Sequence, residues 1–138
     1  MASITLKGRE IPLLYTTYEM KVLQEQFGHL GEFDYKLLGK NKDDPEDTSK
    51  YGGTEQLDTV AGALRILGNA GLEDAGEDAN LTDKWILRAL RPAQLIDAVK
   101  AIMTALQEGN RSEIPEKKQT GPVDVTLEEI KKNETKES

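Results

Sequence analysis

Apolar positions along this chain follow two different periods. Near the start, Ile4 and Leu6 alternate with Thr5 and Lys7, and a second apolar set, Ile11, Leu13 and Leu14, follows a break at Gly8 and Arg9. A period of two with a glycine-containing break predicts a short β-hairpin. Pro12 has no N–H to give a ladder, which places the second strand at an edge. From Thr16 the period lengthens. Thr16 and Glu19 have capping-box spacing, and Met20, Leu23 and Phe27 then share one helical face. Gly28 is a natural stop. A second short helix over Leu30–Leu38 is expected to bury Leu30, Phe33, Leu37 and Leu38.

The stretch 39–53, "GKNKDDPEDTSKYGG", has no apolar period and is rich in charge, Gly and Pro. It reads as a surface loop, mobile over 40–53. Beyond it, Thr54 is the expected N-cap of a helix whose Leu57, Val60, Ala61, Leu64, Ile66 and Leu67 form a broad apolar face. That breadth suits a central helix. Gly62 and Gly68 each weaken it by about 1 kcal/mol relative to alanine, or else admit a close neighbour. After an acidic connection, Thr82 is expected to cap a helix carrying Trp85, Ile86, Ala89 and Leu90. Pro92 suits the first turn of the next helix. Its predicted apolar stripe is Leu95, Ile96, Val99, Ile102, Met103 and Leu106, with Gly109 as its end.

The expected fold is therefore mainly α, a small domain of four to five helices with an N-terminal β-hairpin over residues 1–111. Residues 112–138 are mostly charged and predicted to form a largely disordered tail. Within them Thr126 and Glu129 repeat the capping-box spacing, so "LEEIKKN" is a candidate transient helix.

Composition narrows the function by exclusion. The net charge of −7, without a basic block, disfavours phosphate backbones and anionic membranes. No apolar run reaches the length of a signal peptide or a membrane span. The chain has no cysteine, which removes thiol nucleophiles, disulfides and zinc-thiolate sites. These features predict a soluble, cytoplasmic protein that binds neither nucleic acid nor membrane. His29 is the only histidine, beside Gly28, and reads as a cap or surface residue. "KYGGTEQ" lacks the P-loop lysine. In "DANLTD", Asp78, Asn80 and Thr82 stand where a calcium loop wants its first oxygens. Asp83 then replaces the required glycine and Ala89 the closing glutamate. The acids read instead as a solvated connection, with Asp83 favourably placed at a helix N-terminus. No catalytic, cofactor or metal residues are expected. With 37% apolar residues and few aromatics, large side chains are needed for the core. Met20, Trp85 and Met103, together with Phe27 and Ile96, are nonetheless the candidates for lining a partner groove, with the core as the competing use of the first three.

The order of elements resembles a known family. "YEMKVLQEQFGHLGEF" contains a helix running into an FG-x-L-x-x-F step, and "LRILGNAGLEDAGEDANLTDKWILRALRPAQLIDAVKAIMTALQEG" follows much later. The second stretch holds an apolar helix, a GLE-x-x-G-x-D connection, an LT-x-x-x-(L/I)-x-x-x-L-x-P step and an amphipathic helix ending near EG. This is similar to the tail assembly chaperones of long-tailed bacteriophages and prophages, including gene-transfer-agent relatives. The resemblance lies over residues 64–109, more weakly over 18–33, and leaves out the 40–53 loop and the tail. It implies a non-enzymatic protein of the host bacterial cytoplasm that binds the tape-measure protein, helps recruit tail-tube subunits and is missing from the mature virion. Many members of that family are made as two products, the longer one by translational frameshifting. A structural part of the tail, such as a completion or connector component, is the alternative; a DNA-binding regulator and an enzyme rank below it. Self-association is left open.

Overall fold

The computed structural model describes residues 1–44 and 46–111; the predicted tail and its Thr126–Glu129 capping box lie outside the described residues. Strands β1 (Ser3–Leu6) and β2 (Arg9–Pro12) form an antiparallel hairpin. Five α-helices follow: α1 (Thr17–Phe27), α2 (Leu30–Leu38), α3 (Thr54–Asp74), α4 (Asp83–Ala89) and α5 (Leu95–Asn110). A 3₁₀ turn, Pro92–Gln94, leads directly into α5. The mainly helical fold with an N-terminal hairpin is the one the pattern predicts.

The hairpin turns one residue earlier than expected, at Lys7 and Gly8. Both have positive φ, 51° and 76°, as a two-residue turn matched to strand twist requires. Arg9 therefore pairs with Leu6 inside the ladder. Leu13 and Leu14 lie past the strand. The Leu13 N–H donates to the Ala2 carbonyl at 2.9 Å, and the Leu14 N–H donates to the Leu67 carbonyl of α3 at 3.0 Å. A backbone that has run out of strand partner thus finds one on a helix.

Local signals account for the next two helices. The Glu19 carboxylate accepts the Thr16 N–H at 2.9 Å, closing the capping box. Gly28, at φ 89°, ends α1. Nδ1 of His29 then caps α2, accepting from Gly31 N–H at 3.1 Å and Glu32 N–H at 3.3 Å. Phe33 and Leu37 are buried, whereas Leu30 and Leu38, expected in the core, are only half-buried.

Helix α3 is central, touching β2, α1, α2, α4 and α5. Its start differs from expectation: Gly53 is the N-cap and Thr54 the first helical residue. So does its end. Gly71, Leu72, Glu73 and Asp74 belong to its last turns rather than to the connection, because Leu72 is fully buried and continues the apolar face. The glycines serve close approach. A Cβ on Gly62 would lie 2.5 Å from the Phe27 ring of α1. One on Gly68 would meet Leu81 at 2.7 Å and Ile11 at 3.0 Å, and one on Gly71 would reach the Pro12 carbonyl oxygen at 2.0 Å. The close neighbour is a helix only at Gly62; elsewhere it is the hairpin and the α3–α4 connection.

That connection is fastened by Asn69, whose amide accepts from Leu81 N–H at 2.9 Å and donates to Leu81 C=O at 3.3 Å. The Thr82 hydroxyl caps α4 by accepting the Trp85 N–H at 3.2 Å. Asp83, in the first turn of α4, also pairs with Arg65 Nε of α3 at 2.7 Å. Arg65 Nη2 donates to Gln26 of α1 at 2.8 Å, joining three helices. On α5 the buried stripe is Leu95, Ala98, Val99, Ile102 and Ala105. Ile96 and Met103 fall off it and are exposed. Gly109 does not end α5; it lies inside the last turn, where a Cβ would sit 2.3 Å from the Tyr15 carbonyl oxygen.

Replacing Gly71 tests the seat of the hairpin. Gly71→Ala gains about 1 kcal/mol of helix propensity, but the methyl group meets backbone that cannot rotate away, an overpacking cost of about 1–3 kcal/mol. A lowered urea midpoint is expected; a raised one would show that the hairpin does not sit on this glycine.

Candidate partner-binding groove

An open cavity of about 610 Å³ lies where the N-terminal end of α3 faces the junction of α4 and α5. Such a volume is in the range of binding pockets. Tyr51 and Gly52 come from the loop, Thr54, Leu57 and Asp58 from α3, and Leu87, Leu90, Arg91, Pro92 and Leu95 from the junction. Leu90 and Leu95 are buried, Leu57 is half-buried, and Tyr51 and Leu87 are 49% and 38% exposed. Asp58 and Arg91 are its charged groups. Lys84 and Arg88, both exposed, follow the same exposed stripe of α4 as Leu87. Within the groove itself one base, Arg91, stands on the junction side and one acid, Asp58, on the α3 side.

The loop side is held by a buried amide. Gln56, fully buried on α3, accepts the Gly52 N–H at 2.6 Å and donates to the Leu37 carbonyl of α2 at 3.0 Å. Gly39 makes room for it: the residue sits in the left-handed region at φ 67°, and a Cβ there would lie 2.9 Å from both the Gln56 amide and Tyr51 Cα. Between these points, Asn41, Asp44 and Asp47 side chains accept backbone N–H groups two residues on, from Asp43, Glu46 and Ser49. Hydrogen bonds from Ser49 and Asn41 hold the Asp47 carboxyl below its ordinary pKa.

The candidates named from sequence lie elsewhere. Phe27 is a core residue, its ring centroid 5.7 Å from that of Phe33. Met20 and Trp85 are half-buried and packed on the core. Ile96 is 51% exposed. Met103 lines a smaller cavity of about 230 Å³ between α2 and α5, with Asp34, Leu37, Leu38, Leu106, Gln107 and Asn110. None of the five lines the larger groove, and the two cavities share no residue. Reading the sequence missed Tyr51 and Leu87 as surface anchors. Leu87 did carry a signal: it is apolar yet off the stripe that buries Ile86, Ala89 and Leu90. Leu57, assigned to the core face, stands at its edge.

Chemically the groove offers apolar contact and two opposite charges. Among the described residues no group of three or more His, Cys, Asp or Glu side chains could hold a metal ion, and no helix is long and apolar enough to cross a membrane. The acids of the α3–α4 connection are exposed, and the Asp78 carbonyl oxygen accepts from Arg9 at 3.3 Å.

Two substitutions test the surroundings. Gln56→Leu strands the Gly52 N–H and the Leu37 carbonyl, so a loss of about 1–3 kcal/mol is expected, with faster hydrogen exchange at Gly52; unchanged exchange would mean that the amide does not hold the loop. In the smaller cavity, desolvation raises the Asp34 carboxyl above its ordinary pKa. The folded state then binds this proton more tightly than the unfolded chain. Its stabilising effect is present below the unfolded value, about 4, and is lost as pH rises through the folded one. Asp34→Asn should remove that decline, so that denaturation midpoints of variant and parent converge in acid and the variant leads at neutral pH; a variant weaker at neutral pH would overturn this. Compared with known proteins, the chain matches no protein family, no curated sequence and no solved structure.

Proposed function

We propose that this chain is a non-catalytic tail assembly chaperone of the long-tailed-phage type, which holds an amphipathic helix of the tape-measure protein in the groove between α3 and the α4–α5 junction. The observation that carries this reading is the pairing of exposed Leu87 and Tyr51 with a floor of Leu57, Leu90 and Leu95. A long helical client offers anchors at i, i+3, i+4 and i+7, which is the spacing an apolar groove reads. Asp58 and Arg91 on its two sides give such a helix a direction, since charge complementarity fixes register more than it adds affinity. The net charge of −7 keeps a protein with exposed apolar residues soluble while it waits for that client. The sequence elements over 64–109 that resemble the chaperone family include Leu90 and Pro92 of the groove, whereas Leu87 and Arg91 fall at unspecified positions of that motif. In this reading the protein works in the bacterial cytoplasm, brings tail-tube subunits to the client and leaves before the particle is complete.

The test is co-expression with the tape-measure protein of the same genome. The client should stay soluble and co-elute with the chain on a sizing column. Leu87→Lys should weaken the complex by roughly tenfold or more, the scale of one anchor worth about 2 kcal/mol. Because Leu87 is exposed, its effect on folding should stay within about 0.5 kcal/mol. A client that is soluble alone, or a complex indifferent to Leu87→Lys, would refute the proposal. Mass spectrometry of finished particles separates the alternative: retention at fixed stoichiometry would make the chain a structural part of the tail.

A further inference from the structure

We propose that the cavity between α2 and α5 receives a lysine side chain of a partner protein, with its ammonium on Asp34. This site stands apart from the client groove, with which it shares no residue. Helices α2 and α5 both pack on α3, and a gap of about 230 Å³ is left between them. That is below the roughly 300–1,000 Å³ of a small-molecule pocket and suits a single side chain. Its lining is divided. On α2, Asp34 stands one turn before Leu37 and Leu38; on α5, Met103 and Leu106 precede Gln107 and Asn110. Tyr15 shows how the two sets are matched. Its carbonyl lies against Gly109 near the end of α5, and its phenol is raised by burial and then by the charge of Asp34. Asp34 therefore lies towards Gln107 and Asn110, and Leu38 towards Met103. A long side chain entering here finds aliphatic and thioether walls for its stem and three oxygen-bearing side chains for its head.

The charge of that head follows from Asp34. Among the described residues no ion pair involves it, and burial raises its carboxyl with no neighbouring base to lower it. Lys36, the base of α2, donates instead to the Phe27 carbonyl at 3.1 Å. An ammonium presents its three donors around a compact charge, which one carboxylate and two amide oxygens can meet; a guanidinium is a flat fork that pairs best with a whole carboxylate. A lysine stem can also lie along apolar surface while its head is held by polar groups. The partner's own surface has a place to rest. Ile96 and Met103, two turns apart on α5, are 51% and 37% exposed and form an apolar landing beside the cavity.

Titration of the full chain followed by nuclear magnetic resonance tests this, with N-acetyl-lysine methylamide as probe against its norleucine and arginine counterparts. The lysine probe should move the Met103 methyl signal and the amides of Asp34, Leu38 and Gln107 saturably, in the roughly millimolar range of so small a ligand. The amides of Leu57 and Leu87, in the other cavity, should stay in place. Norleucine keeps the stem and lacks the charge, so it should bind more weakly by roughly tenfold or more, the scale of a hydrogen bond to a charged group. Asp34→Asn should bring the lysine probe down to the norleucine level. The norleucine comparison, made on the unaltered chain, decides the matter even if that variant folds poorly. Four results overturn the proposal: no saturable shift, norleucine binding as well as lysine, arginine binding more tightly, or lysine binding that survives Asp34→Asn. A fifth, 1,4-diaminobutane binding more tightly than the lysine probe, overturns it by giving the cavity to a free amine.

Discussion

How close other segments come to the backbone of α3 decides the rest of the structure. At Gly62 the space of a missing side chain is filled by the Phe27 ring, and at Gly71 by the Pro12 carbonyl. Six and nine residues separate Gly68 and Gly71 from Gly62, so at 100° per residue both lie on a different side of the helix from it. One side of α3 thus receives α1 and another the hairpin. Gly68 and Gly71 also bare the Leu67 carbonyl, which accepts the Leu14 N–H. A leucine or valine at either position would hold the hairpin off and leave that N–H without a partner. The helix gives up about 1 kcal/mol of propensity per glycine, and tertiary contact offsets it. This is why a segment that looks weak by composition runs for 21 residues and is the most enclosed element of the fold.

The N-terminal half of α3 is organised on a different basis. It has one buried amide in place of the glycines, and Gln56 ties the loop to the end of α2 through hydrogen bonds to backbone. Backbone groups are satisfied there without apolar packing from the loop. Tyr51 is consequently left standing beside α3 rather than folded onto it, and Leu57 is only half covered. On the opposite wall, Pro92 cannot continue α4, and the chain turns through a 3₁₀ segment before α5 begins at Leu95. Two chain reversals therefore face each other across the start of α3. The groove is the space that neither reversal has side chains to fill.

Helices were legible where a local chemical signal marks each end. Thr16 with Glu19, and Gly28, bound α1 correctly because capping is decided within four residues of chain. The errors share a cause, since each depends on a partner distant in sequence. Gly109 reads as a stop until Tyr15 is seen against it. Gly71 and Leu72 read as the start of a connection until the hairpin and core cover them. The turn at Lys7 and Gly8 depends on strand pairing, and only a non-glycine residue accepting positive φ at Lys7 reveals it. Leu30 and Leu38 have the right spacing for burial but sit at the ends of a nine-residue helix, where too little protein remains to enclose them.

The candidate site was the least legible part, and the reason is general to helical surfaces. Candidates were chosen by side-chain type, large and adaptable, which selects equally for the core; Phe27 went there because Gly62 supplied a matching gap. Exposure is instead decided by phase. Ile86, Ala89 and Leu90 set the buried phase of α4, and Leu87 lies outside it; Leu95, Val99 and Ile102 set that of α5, and Ile96 and Met103, seven residues apart, lie outside it together. An apolar residue out of phase does nothing for the core of its own chain, and every such residue exposes area that costs about 25 cal/mol per Å² while water covers it. The out-of-phase residues of α4 and α5 differ in their surroundings. Leu87 borders a cavity of about 610 Å³ that also holds Asp58 and Arg91, whereas Met103 borders one of about 230 Å³ beside the Asp34 carboxyl. The first is the larger space, and it alone of the two sets exposed leucine and tyrosine side chains beside an acid and a base.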